Sequence, residues 1–143
     1  MATLERAIQI AAEAHAGQTD KGGVPYILHP LRIMLRMGRY EERIVAVLHD
    51  VVEDSNYTFG ALEAEGFSAS VIDAIRALTK TPGETRIEAA YRAVANPIAR
   101  AVKLADNAEN MDLSRIPNPS DKDLARLKEH EQVRSILLSE SAA

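Results

Sequence analysis

Between Glu41 and Asp54 the chain carries Ile44, Val45, Val47, Leu48, Val51 and Val52, which at 3.6 residues per turn makes a helix apolar around much of its circumference. Such a helix is stable in water only when other elements surround it, so it is expected to be the central one. The same segment holds His49-Asp50 and, one turn later, Glu53-Asp54. Each member of the first pair lies four residues before a member of the second, which should aim all four side chains toward one end of one helix. Ionisable groups beside an apolar stretch cost stability through desolvation and like-charge repulsion unless solvent or a cation offsets them. By itself the pattern fits either the solvated end of a buried helix or part of a metal site.

Helical spacing also dominates the flanking segments. Leu4, Ala7, Ile8, Ala11, Ala12 and His15 predict a first helix over 4–16 behind a Thr3 N-cap, with Gly17 as its stop. Gly22, Gly23 and Pro25 make 17–27 a loop, after which His29 and Pro30 open a second helix. Shorter helices are expected over 58–65 and 68–79, split at Gly66, and another over 84–95. Asn96-Pro97 reads as an N-cap and first-turn pair for a helix to about Met111. A loop over 116–120 with Pro117 and Pro119 then leads to a last amphipathic helix over 121–138. No alternating strand pattern, repeat or Pro-rich linker interrupts this series. The expectation is a single all-α domain of 143 residues, with no room for a second catalytic or regulatory domain.

Composition narrows the chemistry. There is no cysteine, which excludes disulfides and thiolate metal sites. No apolar run approaches the roughly 20 residues of a membrane span. Glu5, Arg6, Gln9 and Glu13 interrupt the N-terminus before a signal-peptide core can develop, so the reading is cytoplasmic, with no membrane partner. A net charge of −4 argues against broad nucleic-acid binding, so an anionic small substrate would need local help from a metal. Two further residues, His29 in Pro25-Tyr26-Ile27-Leu28-His29-Pro30 and Asp106 in Val102-Lys103-Leu104-Ala105-Asp106-Asn107, sit at the edges of apolar segments. With His49 and Asp50 they make a mixed nitrogen and oxygen set suited to Mn²⁺, Fe²⁺ or Zn²⁺.

The order of a His, an adjacent His-Asp and a distal Asp resembles the HD-domain superfamily. The fuller match is to RelA/SpoT-type hydrolase domains and small stand-alone alarmone hydrolases. It is carried by Ala14-His15-Ala16-Gly17-Gln18, by Lys21-Gly22-Gly23-Val24-Pro25-Tyr26-Ile27-Leu28-His29-Pro30, by Leu48-His49-Asp50-Val51-Val52-Glu53-Asp54, by Leu78-Thr79-Lys80, and by Lys103-Leu104-Ala105-Asp106 with Asn110-Met111. The resemblance implies a helical HD bundle and a metal held by His29, His49, Asp50 and Asp106, typically Mn²⁺. It implies Glu53 and Asp54 as the catalytic acidic pair, and removal of the 3′-pyrophosphate from guanosine tetra- or pentaphosphate. Lys21 and Asn110 are the positions it implies for substrate contact. Asp20 stands where such hydrolases usually carry an Arg against the base, which leaves guanine, adenine or a relaxed choice open.

Other histidines are read structurally: His15 as a hydrogen-bonded residue on the apolar side of the first helix, and His130 as an exposed surface residue. With only these two left over, a two-metal cyclic-dinucleotide phosphodiesterase is disfavoured. A phosphohydrolase for another nucleotide or phosphorylated metabolite is the enzymatic alternative. A nucleotide-binding sensor is the alternative without catalysis. The sequence carries no signal for oligomeric state.

Overall fold

The computed structural model describes residues 2–114, 116 and 118–139. Among them are nine helices and no strand: α1 (Leu4–Ala14), α2 (Leu28–Arg36), α3 (Tyr40–Leu48), α4 (Val51–Asp54), α5 (Phe59–Ala64), α6 (Ala69–Leu78), α7 (Arg86–Val94), α8 (Pro97–Asn110) and α9 (Asp121–Ser139). Pro117, expected in the loop before α9, lies outside the described residues. No helix among the described residues is long and apolar enough to cross a membrane.

The helix starts follow from local chemistry. Thr3, Thr58, Ser68 and Asn96 each use a side-chain oxygen to accept an otherwise orphaned first-turn amide. Thr85 does so within a capping box completed by Glu88. Gly17 and Gly23 both have φ of 81°, and this left-handed conformation lets the loop after α1 turn back on itself through an isolated antiparallel bridge between Thr19 and Pro25.

Helix α3 is central, packed against α1, α2, α6 and α8. Its Val45, Ala46, Val47 and Leu48 are fully buried, with Ile10, Ile33, Leu62 and Ile75 among the side chains around them. A smaller second core joins Ala90 of α7 to Val133 and Leu137 of α9. Thus α9 closes over α7 and α8 at one side of the bundle, and a cavity lies beneath it.

One expectation is corrected here. The apolar segment over 41–54 is two helices, α3 and α4, interrupted at His49-Asp50. Asp50 has φ −105° and ψ 0°, a sparsely populated region that often hosts active-site residues. Its carbonyl still accepts the Asp54 amide at 2.9 Å, so α4 continues after the break. The break gives Asp50 and the Glu53-Asp54 turn directions that an uninterrupted helix would not.

Candidate metal centre

His29 enters from the first turn of α2, His49 and Asp50 from the break between α3 and α4, and Asp106 from α8. These three strands of chain meet because α3 packs against both α2 and α8, and α2 against α8. His29, His49 and Asp50 each offer a ligand atom within 4.8 Å of the others. Asp106 joins them: its Oδ1 is 2.9 Å from His29 Nε2 and 3.7 Å from His49 Nε2. His29, His49 and Asp106 are buried, and Asp50 nearly so.

The tautomer of His49 is set by its own backbone. Its Nδ1–H donates to the Ala46 carbonyl at 2.6 Å, which turns Nε2 inward. That Nε2 is buried and has no hydrogen-bond partner, although Asp50 Oδ2 is 3.1 Å away. A buried unpaired nitrogen facing two carboxylates is costly in an ordinary core and suited to a cation held between them. The donor set fits a divalent metal on this ground.

The electrostatics agree. Burial works against charge on Asp106, yet Lys103 at 3.3 Å, the His29 hydrogen bond and the neighbouring His49 ring hold its carboxyl well below the usual range. Burial likewise opposes the charged forms of Asp50 and His49, and mutual attraction outweighs it, lowering Asp50 to about 2 and raising His49. Tyr26 donates its hydroxyl to Asp50 Oδ2. Asn110 Nδ2 donates to Asp106 Oδ1 at 3.3 Å.

This cluster is the floor of a cavity of about 630 Å³, which matches the size range of small-molecule sites. Glu53 and Asp54 line it beside the cluster. Glu53 Oε1 accepts the Lys80 backbone amide at 2.8 Å, tying the turn after α6 to α4. Asp54 is exposed on its outer side, but desolvation, followed by the negative charges of Asp50 and Glu53, raises its carboxyl to about 6. A carboxyl raised in this way is a candidate for proton transfer.

Cations line the walls. Lys21 from the glycine loop is 3.7 Å from Asp123 of α9, which also pairs with Arg126 at 3.6 Å. Arg86, at the start of α7, pairs with Glu129 at 2.7 Å. The cavity therefore brings together all eight positions singled out in the sequence: His29, His49, Asp50, Asp106, Glu53, Asp54, Lys21 and Asn110.

Sequence reasoning missed Tyr26, Arg86 and Arg126 as cavity residues. Tyr26 lies three residues before His29, on the same side of the approach to α2, and that spacing was a usable signal. His130 is a correction: it is buried, lines the cavity, and its backbone carbonyl accepts Asn107 Nδ2 at 2.8 Å. Burial and then Arg86 lower its pKa, which favours the neutral ring. The spacing of His130, Val133 and Leu137 marks one buried helical face. Its Lys- and Glu-rich neighbours obscured that face.

No protein-family model matches the chain. Curated relatives do. A probable GTP pyrophosphokinase of Mycobacterium leprae is 33% identical over 132 residues, covering 83% of this chain. A guanosine-3′,5′-bis(diphosphate) 3′-pyrophosphohydrolase of Haemophilus influenzae is 37% identical over 117 residues, covering 71% of it. The chain spans 17% of the length of each of these relatives. A solved structure of a metazoan SpoT orthologue, described as hydrolysing ppGpp, superposes with a TM-score of 0.76 at 22% identity, over 99% of this chain and 86% of that one. That likeness shows the fold.

Proposed function

The chain is homologous to RelA/SpoT-type proteins and shares the fold of the SpoT-type hydrolase, and on that footing we propose that it is a divalent-metal phosphohydrolase removing the 3′-pyrophosphate from (p)ppGpp-type nucleotides. The observation that carries the proposal is the unpaired Nε2 of His49, facing Asp50 and Asp106 at the floor of a nucleotide-sized cavity. His29, His49, Asp50 and Asp106 would hold the metal, with Mn²⁺ as the proposed ion.

When bound, that ion would acidify a water molecule and polarise a phosphoryl oxygen. The residues of the chain do the rest. Asp54, raised to about 6 and set at the cavity edge, is suited to take or return a proton, though a bound cation would draw that value down. Glu53, anchored by the Lys80 amide, places a second carboxylate beside it. Water attacks the phosphorus joined to the ribose 3′ oxygen, that P–O bond breaks, and the 3′ oxygen leaves as a hydroxyl after receiving a proton. Glu53 and Asp54 are proposed for these two proton movements. Lys21 and Asn110 are proposed substrate contacts, with Lys21 attracting phosphate charge and Asn110 hydrogen-bonding phosphate or sugar.

A second reading, a different nucleotide or phosphorylated metabolite, draws on Asp20. Its Oδ1 accepts the Gly22 and Val24 amides at 2.8 and 3.0 Å, so it shapes the loop at the cavity mouth and offers no planar cation to a base. A sensor without turnover is disfavoured, because such a protein has no need for Glu53 and Asp54 beside the ligand set. The test is Mn²⁺-dependent pyrophosphate release from guanosine and adenosine 3′-pyrophosphate nucleotides, run beside ordinary nucleotides and an Asp50→Ala control. Release from one alarmone establishes reaction and base. Cleavage of another phosphate ester with the alarmones intact supports the second reading.

A further inference from the structure

His15 and Gln18 lie outside the cavity floor, yet their hydrogen bonds lead to it. Gln18 makes three interactions with its side chain. Its Nε2 donates to the Ala14 carbonyl at 3.3 Å and to the Asp54 carbonyl at 3.0 Å, and its Oε1 meets His15 Nδ1 at 2.8 Å. The two donated bonds fix which end of the amide is oxygen. An amide oxygen only accepts, so His15 carries its proton on Nδ1 and donates it. The same ring packs at 4.9 Å, tilted by 56°, against Tyr26, whose hydroxyl holds Asp50.

This arrangement has a cost. His15 is 2% exposed, and its Nε2 is buried without a partner. A leucine in the same place would bury no unpaired polar atom, and such orphans are destabilising. A histidine retained for packing alone would not explain a polar atom left unsatisfied. What it supplies is a directed N–H for Gln18.

We propose that His15 and Gln18 are a positioning pair: His15 orients the Gln18 amide, which holds the Asp54 carbonyl and so fixes the end of α4 where the Asp54 side chain faces the metal centre. The four-residue α4 is too short to hold itself, since its helical bonds amount to about one turn. Without the clip from Gln18 its last residue frays. The pair acts on turnover through Asp54, and it leaves His29 on α2, His49 at the end of α3 and Asp106 on α8 untouched. The inference rests on the reading of Asp54 as a proton-handling group.

The test compares Gln18→Leu, His15→Leu and His15→Asn in the full chain. Asparagine can offer an N–H close to where His15 Nδ1 offers one. Three quantities are read: amide hydrogen exchange over 51–54, Mn²⁺ affinity by calorimetry, and kcat and KM for Mn²⁺-dependent ppGpp hydrolysis. The expected result is faster exchange over 51–54 in both leucine variants and a kcat loss of roughly 10- to 100-fold, the scale of an ångström-level misplacement. Mn²⁺ affinity and KM stay near those of the wild type, and His15→Asn restores both exchange and kcat. The Gln18→Leu/His15→Leu double variant is no worse than either single one, because the pair works as a unit. Wild-type exchange over 51–54 in Gln18→Leu overturns the inference whatever the kinetics. So does a loss of Mn²⁺ affinity that accounts for the whole loss of turnover. An Asp54→Asn control with full turnover instead brings down the catalytic reading of Asp54, and the exchange data still decide whether the pair holds α4.

Discussion

Helices α2 and α8 meet in two successive rungs that use similar side chains to opposite ends. One rung joins His29 to Asp106 at 2.9 Å. The next, three residues further along both helices, joins Arg32 to Glu109 at 2.6 Å, with Arg36 on the other carboxylate oxygen at 2.5 Å. In the second rung one buried carboxylate meets two permanently charged guanidiniums, and both its oxygens are bonded. In the first, two carboxylates share two imidazoles and one lysine, and the Nε2 of His49 is left over. The lesson is that buried charge does not by itself mark a site. What separates the clasp from the candidate metal centre is the charge around the carboxylate: Glu109 is met by two permanent cations, whereas Asp50 and Asp106 flank two imidazoles with only Lys103 added. An orphaned nitrogen alone does not decide, since Arg32 Nη2 in the clasp is one too.

The strongest way to break that comparison is to remove a ligand. Asp50→Ala or His49→Ala should abolish Mn²⁺ binding and reduce turnover to the level of metal-free protein, a loss of several kcal/mol of transition-state stabilisation, read by calorimetry and pyrophosphate release. Full activity in either variant would place the metal elsewhere. Glu53→Gln should keep the metal and lose about 10²- to 10⁴-fold in kcat, the usual worth of a positioned proton-transfer group. Tyr26→Phe removes only the hydroxyl that holds Asp50 and should weaken Mn²⁺ binding about 10- to 100-fold, as loss of a ligand's hydrogen-bond partner typically does.

The clasp should respond in stability instead. Glu109→Gln leaves Arg32 and Arg36 without a counter-charge. Because both guanidiniums are partly exposed, the cost in urea denaturation is expected at roughly 1–3 kcal/mol, below that of a fully buried pair. Mn²⁺ affinity should change little. The smallest effect is in acid. Burial opposes charge on Glu109, but Arg32 and Arg36 together hold its carboxyl below the ordinary 4.5. Its contribution to stability is therefore complete above pH 4.5 and lost as pH falls below it. The Glu109→Gln variant should show a shallower loss of stability over that acid range than the wild type.

Much of this was legible in the sequence because it is local. N-caps at Thr3 and Asn96 depend on a few neighbouring residues, and α1 and α8 begin there; α1 ends at Ala14, earlier than the expected stop, and the left-handed Gly17 closes the turn that follows. The positions that meet in the cavity were legible through the spacing of their motifs and their resemblance to a known family. The break at His49-Asp50 was not, because apolar residues continue on both sides of it and nothing in the local pattern stops the helix. Tertiary partners accompany it there, with Tyr26 on Asp50 and the carboxylates of Asp50 and Asp106 around His49. The cavity walls were equally hidden. Arg86, Arg126 and His130 join the lining of the cavity that holds His29, His49, Asp50 and Asp106 only when α9 folds over α7 and α8.

The most direct test is a calorimetric titration of Mn²⁺ into metal-free protein, in the wild type and in His49→Ala and Asp106→Ala. One ion per chain should bind the wild type, with binding lost in both variants. Wild-type affinity in Asp106→Ala, or no binding at all in the wild type, would contradict a metal centre built from α2, the α3–α4 break and α8.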